Sequence, residues 1–531
     1  MKNLIYIFGL LVLFSNLSAQ HTNIRISSPE YNNPEEVTIA VNPTNPLNLV
    51  AGANIRFYYY SEDGGYTWKE GFMSSTYNVA GDPCVIFDAP GNAYYGHLSN
   101  PDNGSWLDRI VVQKSIDGGK TWNTGVGVGL NGEKDQDKEW LIADMTNSPY
   151  KNNIYMAWTQ FDHYGSSDPS DSTRILFSRS TDQGDTWSDP VIISDHSGNC
   201  EDSDETVEGA VPAVGPDGEV YISWSGPLGI MFDRSFDGGQ TFGRDIFVTD
   251  QHGGWDIPSD SWGIYRCNGM PVTVCDISNS PYRGTIYILW SDDRNGDYDI
   301  FVTKSTDRGS TWSEPKKVND DNSGRVQFFG WITVDPVTGA VYVVFYDRRE
   351  TTGNATDVYV AKSYDGCETF TNFRISESSF VPDSRKFFGD YINITAYNGY
   401  VHPIWMRLDS LDLSVWTAVI YDTSAVTGIK KSSSLKSFRL EQNYPNPFNP
   451  ETTIKYQLIK QSDIKISVFD LRGREIKTLT TSQKEAGYHT IRWDGTDDYG
   501  EKAPSGQYFY RLVAKSDKDY FVQVKKMVLV H

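Results

Sequence analysis

Histidine, cysteine and basic side chains are all scarce in this 531-residue chain: 8 His, 5 Cys, and 47 Lys plus Arg against 69 Asp plus Glu, for a formal charge of −22. The few His and Cys show no ligand spacing, which argues against zinc. The acid excess argues against nucleic acid, whose phosphates require clustered Lys and Arg. Such a balance suits solubility and bound cations outside the cell. Neither a glycine-rich phosphate loop nor a Ser–His–Asp set stands out. Five cysteines leave at least one unpaired. Cys84 falls in an apolar strand and Cys367 in a turn. Cys200 and Cys267, in successive loops, form the expected disulfide, with Cys275 as the rival partner. Long apolar runs are confined to the start. Residues 1–19 read as a secretory signal: Lys2, an apolar run from Leu4 to Phe14, then Leu17-Ser18-Ala19 before Gln20. No cysteine follows that cleavage point, so a lipid anchor is not expected, and no later stretch is long enough to span a bilayer.

What the chain has in abundance is one motif, Ser-x-Asp-x-Gly-x-Thr-Trp with minor drift. Its six copies start at Ser61, Ser115, Ser180, Ser235, Ser305 and Ser363, with gaps of 54, 65, 55, 70 and 58 residues. A period of that size means an array of similar supersecondary units. Each copy lies between short runs of β-branched or aromatic residues, as in Arg56-Phe57-Tyr58-Tyr59-Tyr60, and so reads as a hairpin turn. The glycine supplies positive φ. The aspartates, Asp63, Asp117, Asp182, Asp237, Asp307 and Asp365, are placed to accept backbone N–H bonds within the turn and are read as structural. The closing aromatic packs inward. Cys367 replaces the turn glycine of the sixth copy, which predicts a strained or altered turn there.

The motif resembles the Asp box of sialidase-like β-propellers. That resemblance implies an all-β propeller over residues 20–421, with four strands per blade and the box between the third and fourth. First strands are expected near Val37–Val41, Cys84–Asp88, Trp140–Asp144, Ala210–Val214, Pro271–Asp276 and Ile332–Asp335. After the sixth box, Tyr391–Ala396, Val401–Trp405 and Val415–Tyr421 read as three more strands without a box. The missing fourth strand is expected at the other end of the chain, where Asn23–Ser27 resembles the strand Asn372–Ser376. Seven blades closed by the N-terminus are therefore expected, with six as the alternative.

Residues 422–437 carry Ser, Thr, Gly and Lys without periodicity and read as a linker. Residues 438–531 then show short alternating strands with turn signals, the pattern of a small immunoglobulin-like β-sandwich. The run Asn443–Pro450, Trp493-Asp494-Gly495, Ser505-Gly506-Gln507-Tyr508 and Lys525-Lys526-Met527-Val528-Leu529 resemble the type A sorting domain of type IX secretion cargo. This resemblance implies partnership with the type IX secretion machinery and a secreted or outer-surface location.

Chemistry is expected on the rim opposite the boxes, where the longer loops lie. Acidic residues cluster at the starts of first strands: Glu35, Glu36, Asp82, Asp135, Asp137, Glu139, Glu208 and Asp390. Of these, Asp137, Glu139, Glu208 and Asp390 are the candidate catalytic groups. Trp140, Tyr391, Arg294, Arg348, Arg349 and Arg407 are candidate ligand contacts. Facing carboxylates with aromatics suit hydrolysis of an extracellular polysaccharide or glycoprotein glycan, retaining or inverting. The alternative is a surface propeller that binds glycan or protein without catalysis. The resemblance does not extend to sialic acid chemistry: Arg25-Ile26-Ser27 stands where that family has Arg-Ile-Pro, and the arginines do not match its trio. Asp293, Asn295, Asp297 and Asp299 place oxygens at alternate positions and make calcium the one cofactor considered, although Tyr298 and Lys304 break the EF-hand pattern.

Overall fold

The computed structural model describes residues 21–530, except 32, 260–261, 429–437, 459, 485–486 and 517–519. The expected signal segment and most of the expected linker lie outside the described residues. The chain divides into two compact units, Met1–Ala425 and Val426–His531.

Six sheets of the first unit, among the described residues, follow one plan of four consecutive antiparallel strands in sequence order, and a further sheet of five strands takes one of them from the N-terminus. The third sheet is typical, running Asp135–Ala143, Ile154–Phe161, Thr173–Ser180 and Val191–Ile192. Burial is greatest in the second strand and falls away to the outermost. Every residue of Ile154–Phe161 is buried, whereas both residues of Val191–Ile192 are exposed. A strand with neighbours on both faces must be apolar on both, which accounts for unbroken runs such as Ile154-Tyr155-Met156-Ala157-Trp158. The fifth residue of three such second strands is a fully buried tryptophan, Trp158, Trp224 or Trp290. Truncating one to alanine costs on the order of 3–5 kcal/mol.

The first strands pack against one another in a cycle. Thr38–Val41 contacts Gly81–Phe87, and the contact passes on through Asp135–Ala143, Glu208–Val214, Val272–Cys275, Gln327–Val334 and Asn393–Tyr397 before returning to Thr38–Val41. This is a β-propeller arrangement. The last sheet takes its outer strand from the opposite end of the chain: Asn23, Ile24 and Arg25 pair with Ala418, Thr417 and Trp416. The expected N-terminal closure is therefore present, and it covers a sheet edge that would otherwise be open.

The six box turns are near-identical. In the first, Ser61 Oγ donates to Asp63 Oδ1 (2.9 Å) and accepts from Gly65 N (2.9 Å), while Asp63 also accepts from Thr67 N (2.9 Å) and Thr67 Oγ1 (2.6 Å). The sixth turn is strained as expected but not altered. Cys367 takes φ 64°, its N donates to Ser363 Oγ (3.0 Å), and Asp365 accepts from Thr369 N (2.9 Å). Turn geometry overrides residue identity there, and the strain is confined to one residue in the left-handed region.

The expected disulfide does not form. All five cysteines are free and buried, and Cys84 Sγ instead accepts from Leu141 N (3.2 Å). Residues 422–428, expected to be linker, are ordered. Asp422 accepts from Tyr342 Oη (3.0 Å) and from Ser424 N (3.1 Å), heading the short helix Thr423–Gly428. In the second unit, one sheet joins Arg439–Leu440, Thr452–Leu458 and Gly487–Trp493, and the other joins Glu475–Lys484, Ser462–Phe469, Gly506–Lys515 and Tyr520–Leu529. Their inward residues, including Ile454, Ile466, Trp493, Tyr510 and Leu529, share one core.

Candidate functional site

Backbone irregularity at the start of the first strands builds the site. Register shifts fall between Gly81 and Cys84, Asp137 and Trp140, Glu208 and Val211, and Phe328 and Trp331. At the same level the backbone takes positive φ at Glu36 (51°), Asp82 (52°), Lys138 (55°), Gly209 (80°), Phe329 (51°) and Gly389 (84°). A bulge adds one residue and re-aims the side chains beside it. Repeated around the ring, it turns a row of acidic residues toward the axis. Below that level the strands resume their apolar register.

The result is a cavity of about 170 Å³ whose wall includes Glu36, Asp82, Asp137, Asp202, Glu208 and Asp390, together with Lys138 and Arg266. Its electrostatics are divided. Arg266 forks onto Asp390, with Nε donating to Oδ1 (2.8 Å) and an NH2 group donating to Oδ2, and it also pairs with Asp202 (3.3 Å). Burial raises the Asp390 pKa, but Arg266 outweighs it and holds this carboxyl below the usual aspartate range. Glu208 goes the other way. Burial first, then Asp202 and Asp137, push it well above the usual glutamate range, and its Oε2 has no hydrogen-bond partner among the described residues. Asp137 is raised by burial and by Asp82 and Asp202, and accepts from Lys138 N (2.8 Å). Glu36 is raised by burial, Asp82 and Asp390, and accepts from Asn54 Nδ2. Lys138 is buried. Desolvation works against its charge, yet Asp82, Asp390, Glu36 and Glu208 together raise its pKa, and its Nζ lies 3.9 Å from the Tyr391 ring centroid.

Trp106, Tyr164, Trp255 and Phe387 are the aromatic residues that line the cavity, and further aromatics pack near Lys138. Trp140 meets Trp331 at 4.4 Å and Tyr391 at 5.6 Å between centroids. Beyond Trp140 and Trp331 lies a second space of about 510 Å³, walled by the apolar ends of the first strands. Trp106 meets Tyr164 edge-on at 5.8 Å, and Tyr164 Oη donates to Asp202 Oδ2 (2.7 Å).

Three of the four candidate catalytic residues, Asp137, Glu208 and Asp390, share this wall. Glu139 does not line it. Its buried side chain has both carboxyl oxygens unpartnered among the described residues and lies against Gly96, with its pKa raised by burial and Asp82. Trp140 and Tyr391 do not line the cavity either; they border a separate, smaller space of about 30 Å³. The four candidate arginines do not assemble into an anion site, because each is engaged locally. Arg294 pairs with Asp292 (2.9 Å from Nε to Oδ1), Arg349 with Asp347 (2.7 Å) and Arg407 with Asp409 (2.6 Å). Arg348 is buried and donates to Thr356 Oγ1 (3.0 Å) and Trp262 O (2.9 Å). The expected calcium loop is not assembled either. Asp299 turns into its sheet, accepting from Asn319 Nδ2 (2.7 Å) and Asn295 Nδ2 (3.0 Å), and no group of three or more His, Cys, Asp or Glu suited to a metal occurs among the described residues. Of Asp293, Asn295, Asp297 and Asp299, Asn295 and Asp299 meet through that hydrogen bond, with the Asn295 amide turned in as donor.

Lys138, Arg266, Asp202 and Tyr164 were missed by the sequence reading. Lys138 carries a signal of its own, since it stands inside the acidic run Asp135-Gln136-Asp137-Lys138-Glu139, where a lone cation implies neutralisation. The other three come from loops without a repeat.

Comparison with known proteins gives the following. The FlgD Ig-like domain family matches residues 448–518. No curated protein matches the chain. Among solved structures, the Hadza microbial sialidase Hz136 is 15% identical over 70% of this chain and 73% of its own, with a TM-score of 0.41. The NanB sialidase of Streptococcus pneumoniae is 10% identical over 71% and 84%, with a TM-score of 0.41. Trypanosoma rangeli sialidase is 11% identical over 87% and 86%, with a TM-score of 0.37. The chemistry of this chain rests on its own residues.

Proposed function

We propose that this chain is a seven-bladed Asp-box propeller, exported by the type IX route through its C-terminal immunoglobulin-like domain, that acts on extracellular glycans as a glycoside hydrolase. The observation that carries the chemistry is one cavity holding carboxyl groups driven in opposite directions. Burial and like charge push Glu208 well above the usual glutamate range, and Arg266 holds Asp390 below the usual aspartate range. Two carboxyl groups whose environments separate their titrations suit an acid and a base or nucleophile. Glu208, with a free carboxyl oxygen, is the acid in this reading, and Asp390 is its ionised partner. Asp137 supports the protonated state of Glu208 by its charge.

The second reading, a binding propeller without catalysis, is favoured by one feature: the Arg266 fork occupies both oxygens of Asp390. A glycan panel scored for released sugar separates the two. Turnover by the parent chain that falls by about 10²–10⁴ in Glu208→Gln supports catalysis. Turnover unchanged in both Glu208→Gln and Asp390→Asn refutes it, and glycan capture without released sugar establishes the second reading.

A further inference from the structure

We infer that the axial cavity selects a cationic glycan, one whose sugar carries a free protonated amine, over N-acylated, neutral and anionic glycans. The inference rests on the glycan reading above and names the substrate class for that site.

Three observations carry it. The first is the imbalance of charge-bearing groups: with Asp256, seven carboxyl side chains line the cavity against two basic ones. Neither basic group stands clear of the carboxyls, although Lys138 Nζ has no hydrogen-bond partner among the described residues. Arg266 is spent on Asp390 and Asp202. Lys138 sits over the Tyr391 ring amid Glu36, Asp82, Glu208 and Asp390, so an anion approaching it would meet those carboxyls first. The second is an unsatisfied acceptor. Glu208 is 4% exposed, faces the cavity, and leaves Oε2 without a donor among the described residues. A buried acceptor without a partner carries a desolvation cost that an N–H donor relieves. An ammonium brings three such donors, and the Asp390 carboxylate on the same wall supplies a counter-charge. The third is the aromatic wall. Phe387 already stacks on a cation, Arg266, at 5.2 Å, and Trp106, 52% exposed, offers a larger ring beside Tyr164. Aromatic faces with nearby carboxylates are a recurrent way of holding ammonium groups. The space of about 170 Å³ equals some five or six waters at the liquid's share of about 30 Å³ each, the scale of one sugar residue.

The test is calorimetric titration of the full chain with a β-1,4-linked glucosamine tetrasaccharide, its fully N-acetylated counterpart, sialyllactose and spermidine. The glucosamine oligomer is expected to bind at least tenfold tighter than either other sugar, and to lose at least tenfold in Glu208→Leu, which removes the acceptor, with thermal melting confirming that the variant is folded. Equal or tighter binding of the N-acetylated or sialylated sugar overturns the inference while leaving the glycan reading standing. Spermidine binding with no sugar bound keeps the preference for cations and overturns the glycan reading. Absence of binding by all four overturns both.

Discussion

Aspartate serves opposite ends of the propeller in opposite ways. At the box turns each carboxylate is met by several donors. Asp237, for instance, accepts from Ser235 Oγ (2.7 Å), Gln240 N (2.9 Å), Thr241 N (2.9 Å) and Thr241 Oγ1 (2.6 Å). Burial works against its charge there, but these bonds win and hold its pKa down to about 2. At the axis, Asp137 accepts one backbone bond, has acidic neighbours, and is pushed up by burial and like charge. Donor supply, and not residue type, decides the charge state. The box turns gain stability from their aspartates, whereas the axial row accumulates poorly partnered acids with raised pKa, of the kind found at working sites.

That contrast can be broken or sharpened by substitution. The largest expected effect is on turnover: Glu208→Gln removes the only proton this reading assigns to the leaving group, with a loss of about 10²–10⁴ in released sugar while folding is unaffected. Next is a box aspartate. Asp237→Ala strips four hydrogen bonds from one turn and is expected to cost about 2–4 kcal/mol in denaturant unfolding, without changing glycan binding. A turnover loss as large as that of Glu208→Gln would erase the distinction between the two rims.

A third prediction concerns Asp245, which is raised to about 6 by burial and by Asp195 and Asp233 and leaves Oδ1 unpartnered among the described residues. A carboxyl raised in the folded state favours folding while protonated. Its contribution is complete below the unfolded value near 4 and is lost as pH rises through about 6. Asp245→Asn should therefore melt higher than the parent at pH 8 and about the same at pH 4. Asp233, also raised to about 6 and likewise short of a partner at Oδ2, remains to give the variant a residual slope. Equal melting shifts at both pH values would contradict this. The smallest effect is expected for Cys367→Gly. Relief of the positive φ is worth about 1 kcal/mol, and the lost burial of the thiol offsets it, so stability should stay within about 1 kcal/mol. A loss of several kcal/mol would mean that the sixth turn is not equivalent to the others.

Much of the architecture was legible because it repeats. The six Ser-x-Asp starts mark the turns, and each turn implies two strands before it, so first strands such as Ala210–Val214 emerged within a few residues of the observed Glu208–Val214. The unpaired strand count after Ser363 pointed to Asn23–Ser27, which does pair with the last sheet. Site residues were legible only where they share that repeat, as with Asp137, Glu208 and Asp390. The arginines misled because a guanidinium in a loop after a second strand finds the aspartate ending that strand two residues before it, as Arg294 and Arg349 do with Asp292 and Asp347. Arg266 and Asp202 arrive from irregular loops, where sequence spacing carries no distance. The bulges beside the acids left a faint trace, an acidic residue next to glycine in Gly81-Asp82 and Glu208-Gly209.

The central claim, that Glu208 and Asp390 occupy one cavity with titrations driven in opposite directions, is tested most directly by following their carboxyl carbons by NMR across pH, with assignments from Glu208→Gln and Asp390→Asn. The account predicts that Glu208 titrates well above the usual glutamate range and Asp390 below the usual aspartate range. Two ordinary titrations near pH 4 would contradict it.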